Sequence, residues 1–418
     1  MAWLVISWGL LVVLFLGFLD INFRDKTQRS DYVTAFYVAG HLVADGEQQD
    51  LYPPKGARSF KNAPFVVQAR RILPFMLPGY TIEFMYIPIA AWVFVPFSLC
   101  PPWLSLLLWQ VVSLLAVIAS GVLVVRAIAS VEKVQGAPWL YGLAGLTSLP
   151  VVHMLWQGQV GMVFGILPLC AGYYLAMRNR PLQSGLVMSL TLLKPQFYVP
   201  AMMVGLGQAL NREFRCLAGL VVGALAIFML NLSVCGPALC LAWLRCLKLR
   251  DSGFSGQEWA PPQFVTNLAN SLLFFLPPQM QYLFKPAVYV IALVLMLLGL
   301  RHIFMLRKSS PPRQDKVSII FLIAFLATPL MVPQLLIYDL SVLYPAGLIA
   351  ALYQWREPVR EYFKKLTAVG WICVNVYWIL ALILRESLQP LLLTAIILDL
   401  YRRLLGSVRQ ISAEPGPE

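Results

Sequence analysis

Long apolar runs separated by short clusters of lysine and arginine recur along this chain from one end to the other. A helix at a water surface carries an apolar stripe with polar residues between its turns. These runs are apolar on every side and have the length that crosses a bilayer. Fitted between the basic clusters, they predict helices near 3–19, 103–125, 138–154, 160–177, 182–195, 198–210, 217–237, 281–305, 318–334, 336–353, 367–384 and 388–401. That is an all-α polytopic membrane protein of about twelve transmembrane helices, with both ends on one side.

Two stretches resist a simple crossing. Phe84 to Leu99 is apolar, but it is interrupted by Pro88 and Pro96, and a full crossing would break the parity of every later basic loop. It is expected to be re-entrant or half-inserted. Residues 182 to 210 would form a single helix of roughly 43 Å, too long for a hydrocarbon core of about 30 Å. Two limbs meeting around Pro195 fit better, and they leave Lys194 about 18 Å along the first limb, where a cation needs water or an anion.

Charge assigns the sides. The short connections at Arg126/Lys133, Arg178/Arg180, Arg212/Arg215, Arg301–Lys316, Arg356–Lys365 and Arg402–Arg409 hold more than half of the 32 Lys and Arg. By the positive-inside rule all six are cytoplasmic. The net charge of +13 is therefore spread between spans rather than gathered on one soluble domain, and nucleic acid is not an expected partner. Residues 3 to 19 lack a basic leading region and a small-residue cleavage site, so they are expected to stay as a helix. Seven scattered cysteines without CxxC spacing indicate neither a disulfide framework nor a zinc site.

With 59% hydrophobic and only 12% charged residues, each polar group near the membrane carries information. Helix parity sends Asp31 and its loop, Gln157-Gly158-Gln159, Lys194, the 238–280 loop and Tyr338-Asp339 to the outer face. The outer loops are basic as well, at 24–71 and at Arg245, Lys248 and Arg250, with Arg70 and Arg71 behind them. A phosphate-bearing ligand or anionic headgroups would account for that basicity. The outer loops hold no DxD pair and no Gly-rich phosphate cradle, which argues against a nucleotide-sugar donor. His41 and His153 form no metal constellation with the acids, so no cofactor or metal is expected.

The ordered set of motifs resembles a known family. One hydrophobic helix is followed by Asp31-Tyr32 with Phe36-Tyr37-Val38-Ala39-Gly40, then Leu51-Tyr52, Tyr86-Ile87-Pro88 and Pro96-Phe97. Further along come Gly158-Gln159, Arg180-Pro181, Leu193-Lys194-Pro195-Gln196, Asn267 to Ser271, Thr328-Pro329 and Tyr338-Asp339. Over roughly residues 1 to 350 this is similar to the GT-C glycosyltransferases of family 87, the polyprenyl-phosphate-mannose-dependent α-mannosyltransferases and their relatives.

The resemblance implies a GT-C type catalytic region over 1–350, whose long first outer loop carries short amphipathic helices. C-terminal transmembrane helices over 351–404 and a cytoplasmic tail from 405 to 418 follow. It implies transfer from a lipid-phosphate-linked sugar to an acceptor hydroxyl of a glycolipid or glycan at the outer face of the cell membrane. Asp31 is then the general base. A single carboxylate fits inversion, since a retaining double displacement would need a second one as nucleophile. The leaving phosphate calls for cations, for which Lys194, Arg245, Lys248 and Arg250 stand available. Tyr37, Gln159, Gln196, Trp156 and Asn270 are the expected sugar or acceptor contacts, with Tyr338 and Asp339 a second polar site.

Plainer roles compete. An aspartate just outside a helix is ordinarily a solvated cap, and Asp339 is well placed for the same role. Gln159 would satisfy backbone at a tight turn. Lys194 would snorkel, and the 245–250 cluster would touch lipid headgroups. Asn231-Leu232-Ser233 spells a glycosylation acceptor but falls in an apolar run. A transporter or lipid flippase is the rival class, although no internal repeat points to a midplane site. A glycan ligase of the same membrane superfamily is hardly separable by sequence.

Overall fold

The structure, a computed structural model, describes residues 30–57, 60, 63–76, 83–253, 278–307, 312–332, 335–353, 367–376, 395, 397–399 and 401–406. The expected span at 3–19 and most of that at 388–401 lie outside them. The described residues are helical, with no strand among them. Among the described residues, four helices are long and apolar enough to cross a membrane: Pro102–Ile128, Phe214–Leu249, Pro286–Met305 and Arg313–Met331.

Burial in these four runs opposite to that of a water-soluble protein. Arg313–Met331 is the least apolar of them and is 83% buried, whereas the more apolar Phe214–Leu249 and Pro286–Met305 are only 22% buried. Leu115, Phe214, Val222, Leu225, Met229, Leu230 and Leu283 stand exposed in consequence. Apolar surface of this extent is stable against lipid and not against water. The chain is a helical membrane protein.

Several expected crossings are segmented. The run at 138–154 becomes Pro138–Ala144, a short 3-10 turn and then Leu149–Trp156. The run at 217–237 does not end at its glycine-proline pair. Helix Phe214–Gly253 continues beyond it because Gly236 takes a left-handed φ of 77° and Pro237 restarts the helix after the kink. The expected outer loop at 238–280 therefore opens as helix. Phe84 to Leu99 holds two four-residue helices, Ala90–Val93 and Val95–Ser98, each far shorter than a bilayer.

The chain divides into two compact units. The first takes in Met1–Ala116, Val152–Val163 and Ala226–Glu258. Its core is an aromatic cluster around helix Tyr32–Ala44, where Tyr32 stacks on Trp109 at 5.8 Å and Phe36 lies 5.0 Å from Phe94. This helix is nearly all buried, whereas the sequence suggested short amphipathic helices on an outer loop. Helix Pro64–Ile72 does have the expected amphipathic form, burying Phe65, Val66 and Ala69 while Val67 and Arg70 face outward. Arg71 holds Glu47 and Gln68 donates to Asp50, and the bond to the Glu47 carboxylate raises the guanidinium further above its ordinary pKa. Asn231, fully buried, accepts from the Ile89 amide at 2.8 Å and donates to Cys240 Sγ. Its part is to satisfy the start of a short helix.

The second unit comprises Val117–Val151, Phe164–Leu225 and Trp259–Glu418. Its helices approach closely where side chains are absent. A Cβ on Gly185 would stand 2.0 Å from the Cys216 carbonyl, and one on Gly219 2.1 Å from that of Leu182. Small residues on both helices let backbones meet where no hydrophobic drive separates protein from lipid. Polar pairs such as Tyr173 and Ser318, 2.8 Å apart, are buried between the interior helices.

Candidate functional site

In the first unit, one three-residue turn grips the start of helix Tyr32–Ala44. Helix Leu149–Trp156 ends by placing Gly158 at φ 63°, with Gly158 N donating to Leu155 O and Gln159 N donating to Met154 O. This pair of bonds is a Schellman motif, and the motif dictates where Gln159 stands. No other residue fits at 158, because a Cβ there would lie 2.5 Å from Tyr32 Cβ and the φ is left-handed. The turn's carbonyl at Gln157 accepts from Tyr32 N at 3.1 Å and from the Ser30 hydroxyl at 3.1 Å. Gln157 Oε1 accepts from Asp31 N at 3.4 Å. Gln159 Nε2 donates to the Asp31 carboxylate.

Asp31 is itself helical, with φ −58° and ψ −34°, and its side chain makes no capping bond. Its carboxylate turns to Gln159 instead. Asp31 is half-buried, while Gln159 is 3% exposed and its Oε1 has no partner in the structure. The residues that follow each of them, Tyr32–Tyr37 and Met162–Ile166, are wound as π-helix. Such turns are rare and concentrate at functional sites.

In the second unit, Lys194 and Asp339 form an ion pair of 2.6 Å with each side chain 1% exposed. Pro195 explains the position of the lysine. The residue before a proline is pushed out of the helical region, and Lys194 has φ −130° and ψ 88° between the 3-10 turns Ser189–Leu193 and Pro195–Phe197. Its ammonium also lies 5.1 Å from the Tyr338 ring and 5.4 Å from that of Phe197. Asp339 does two jobs, accepting from Leu336 N at 3.2 Å with its other oxygen. A buried ion pair holds only when such added contacts offset desolvation.

The profile of glycosyltransferase family 87 matches residues 84–333, more than half of the chain. The chain belongs to glycosyltransferase family 87. No curated protein and no solved structure matches it. Within this membrane glycosyltransferase, the matched segment contains Gln159, Lys194 and Gln196, and it begins after Asp31 and ends before Tyr338.

The other expected site residues of the family-87 chain divide by what their atoms already do. Tyr37 is 4% exposed, and its hydroxyl donates to the Cys100 carbonyl at 3.0 Å with His41 Nε2 at 3.2 Å, so it is held in packing. Trp156 is half-buried, its carbonyl accepting from Gln110. Gln196 has a buried Oε1 without a partner. Arg245 and Lys248 are exposed on helix Phe214–Gly253, which also carries Arg250. Asn270 lies outside the described residues. Sequence reasoning gave no role to Gln157 or Ser30. The glycine at a helix end flanked by two glutamines was the available signal.

Proposed function

We propose that this glycosyltransferase has a GT-C type fold and moves a sugar, mannose by family resemblance, from a polyprenyl-phosphate donor to an acceptor hydroxyl. The reaction takes place at the outer face of the cell membrane with inversion. Asp31 takes the proton of the attacking hydroxyl while the anomeric carbon parts from the phosphate on the opposite side. The observation that carries this reading is the carboxylate itself: it is half-buried and is met by a glutamine amide from a turn far along the chain.

The leaving phosphate carries its own charge and is met by cations rather than by an acid. Arg245 and Lys248 are exposed for this role, and Arg250 follows them in the sequence. Lys194 stands apart from them, for Asp339 already fills the place of a phosphate against it. Trp156 supplies stacking to the sugar, and the acceptor is a glycolipid or glycan in the membrane.

The test is transfer in membranes from radiolabelled polyprenyl-phosphate-mannose to lipid-extract acceptors, comparing the wild type with Asp31→Ala and Asp31→Asn. Loss of a general base costs about a hundred- to ten-thousand-fold in rate. Wild-type rates in both variants would remove Asp31 from the chemistry. If the wild type consumed no lipid-linked sugar at all, the donor class would fall with it.

A further inference from the structure

We propose that Gln159 is the positioning residue of the base, acting on transfer through Asp31 and not by holding sugar. The inference rests on the reading of Asp31 as base and deepens it. The Gln159 side chain is almost sealed, with Nε2 on the Asp31 carboxylate and Oε1 unpartnered. A buried amide with one end unsatisfied is a poor choice for stability, since methionine would fill the same space without an orphaned oxygen. What glutamine adds at 159 is the donor facing Asp31.

The backbone geometry supports the same role. Gln159 N is tied to Met154 O by the helix-ending motif, which leaves the side chain a fixed root. The same turn holds the chain around the base through Tyr32 N, the Ser30 hydroxyl and Asp31 N. Main chain and carboxylate of Asp31 are therefore both contacted by residues 157–159. A base held in this way meets the attacking hydroxyl without first reorganising.

A coupling experiment tests the inference. Gln159→Met and Gln159→Glu are made in the wild type and in Asp31→Asn, and kcat and KM for polyprenyl-phosphate-mannose are measured in membranes. Alone, Gln159→Met is expected to lower kcat about thirtyfold with KM changed less than about threefold, the mark of an interaction used in the transition state. Gln159→Glu, the same shape with a like charge facing Asp31, is expected to lose more and stands in should the methionine variant not fold. On the Asp31→Asn background either change should alter the residual rate less than about twofold, because groups that act as a unit are not additive. Equal losses on both backgrounds, or a raised KM with kcat intact, would overturn the proposal in favour of a separate sugar contact. Wild-type turnover by Asp31→Asn alone would sink the base assignment instead, so the two failures are told apart.

One readout needs no turnover. Purified protein is labelled with a carbodiimide, which attacks protonated carboxyls, and the Asp31 peptide is followed by mass spectrometry against pH. The groups the structure places on Asp31 from the opposing turn are the neutral amides of Gln157 and Gln159, and the adjoining Tyr32 hydroxyl is turned to Ser105 at 2.8 Å. Removing a donor that favours the carboxylate raises its pKa, so Gln159→Met should carry Asp31 labelling to higher pH. An unmoved labelling curve overturns the proposal whatever the donor turns out to be.

Discussion

Among the described residues, the Asp31–Gln159 and Lys194–Asp339 pairs are built on opposite plans. Asp31 meets the neutral amide of Gln159 and is itself half-buried. Lys194 meets Asp339 charge to charge, and neither is more than 1% exposed. A sealed ion pair has spent both charges on each other and is tolerated for the contacts it organises. The amide that meets Asp31 brings no charge of its own. With Asp31 as the proposed base, the contrast separates a group that acts in the chemistry from one that locks a broken helix to its neighbour.

The sharpest way to break this comparison is to remove one member of each pair. Asp31→Asn should cost transfer about two to four orders of magnitude and leave the melting temperature of detergent-solubilised protein unchanged. If it melted early instead, Asp31 would be architecture. Lys194→Ala and Asp339→Ala should each destabilise by about 3–5 kcal/mol, seen as lost expression or a lowered melting temperature, because each strands a buried charge. The double variant Lys194→Met with Asp339→Leu should recover most of that stability. A recovered fold with dead transfer would move this pair into the chemistry and erase the distinction.

Smaller effects sharpen the first pair. Gly158→Ala should cost more than about 1 kcal/mol and reduce transfer as well, since it must leave the left-handed region and displace Tyr32. A shift in melting temperature without loss of transfer would mean that the turn does not set Asp31. Tyr32→Phe removes a buried hydroxyl bond to Ser105 and should cost about 1 kcal/mol with transfer nearly intact, as read by the same two assays. The smallest effect is expected for Arg71→Ala. Its bridge to Glu47 is solvent-exposed, and melting should not change measurably.

Several parts of this were legible because they are local. The break at Pro195 was readable, since proline excludes its preceding residue from a helix, and so was the need of Lys194 for an anion at that depth. Which anion was not readable, because Asp339 lies 145 positions away. The burial of helix Tyr32–Ala44 was missed for a similar reason. Its aromatic residues resemble an interfacial loop until Phe94 and Trp109 cover them. The kinked continuation through Gly236 was missed because a glycine-proline pair ordinarily marks a helix end.

By itself the sequence determined that the chain lives in a membrane as helices, since apolar length and loop charge are properties of consecutive residues and the bilayer reads them one segment at a time. It also singled out Asp31, because charge is scarce in such a chain. Only the tertiary structure decided what each charge faces. Asp31 meets an amide brought by a turn 128 positions away, and Lys194 meets its own counter-ion. The cost or usefulness of a charge in an apolar interior depends on neighbours that the linear order does not bring together.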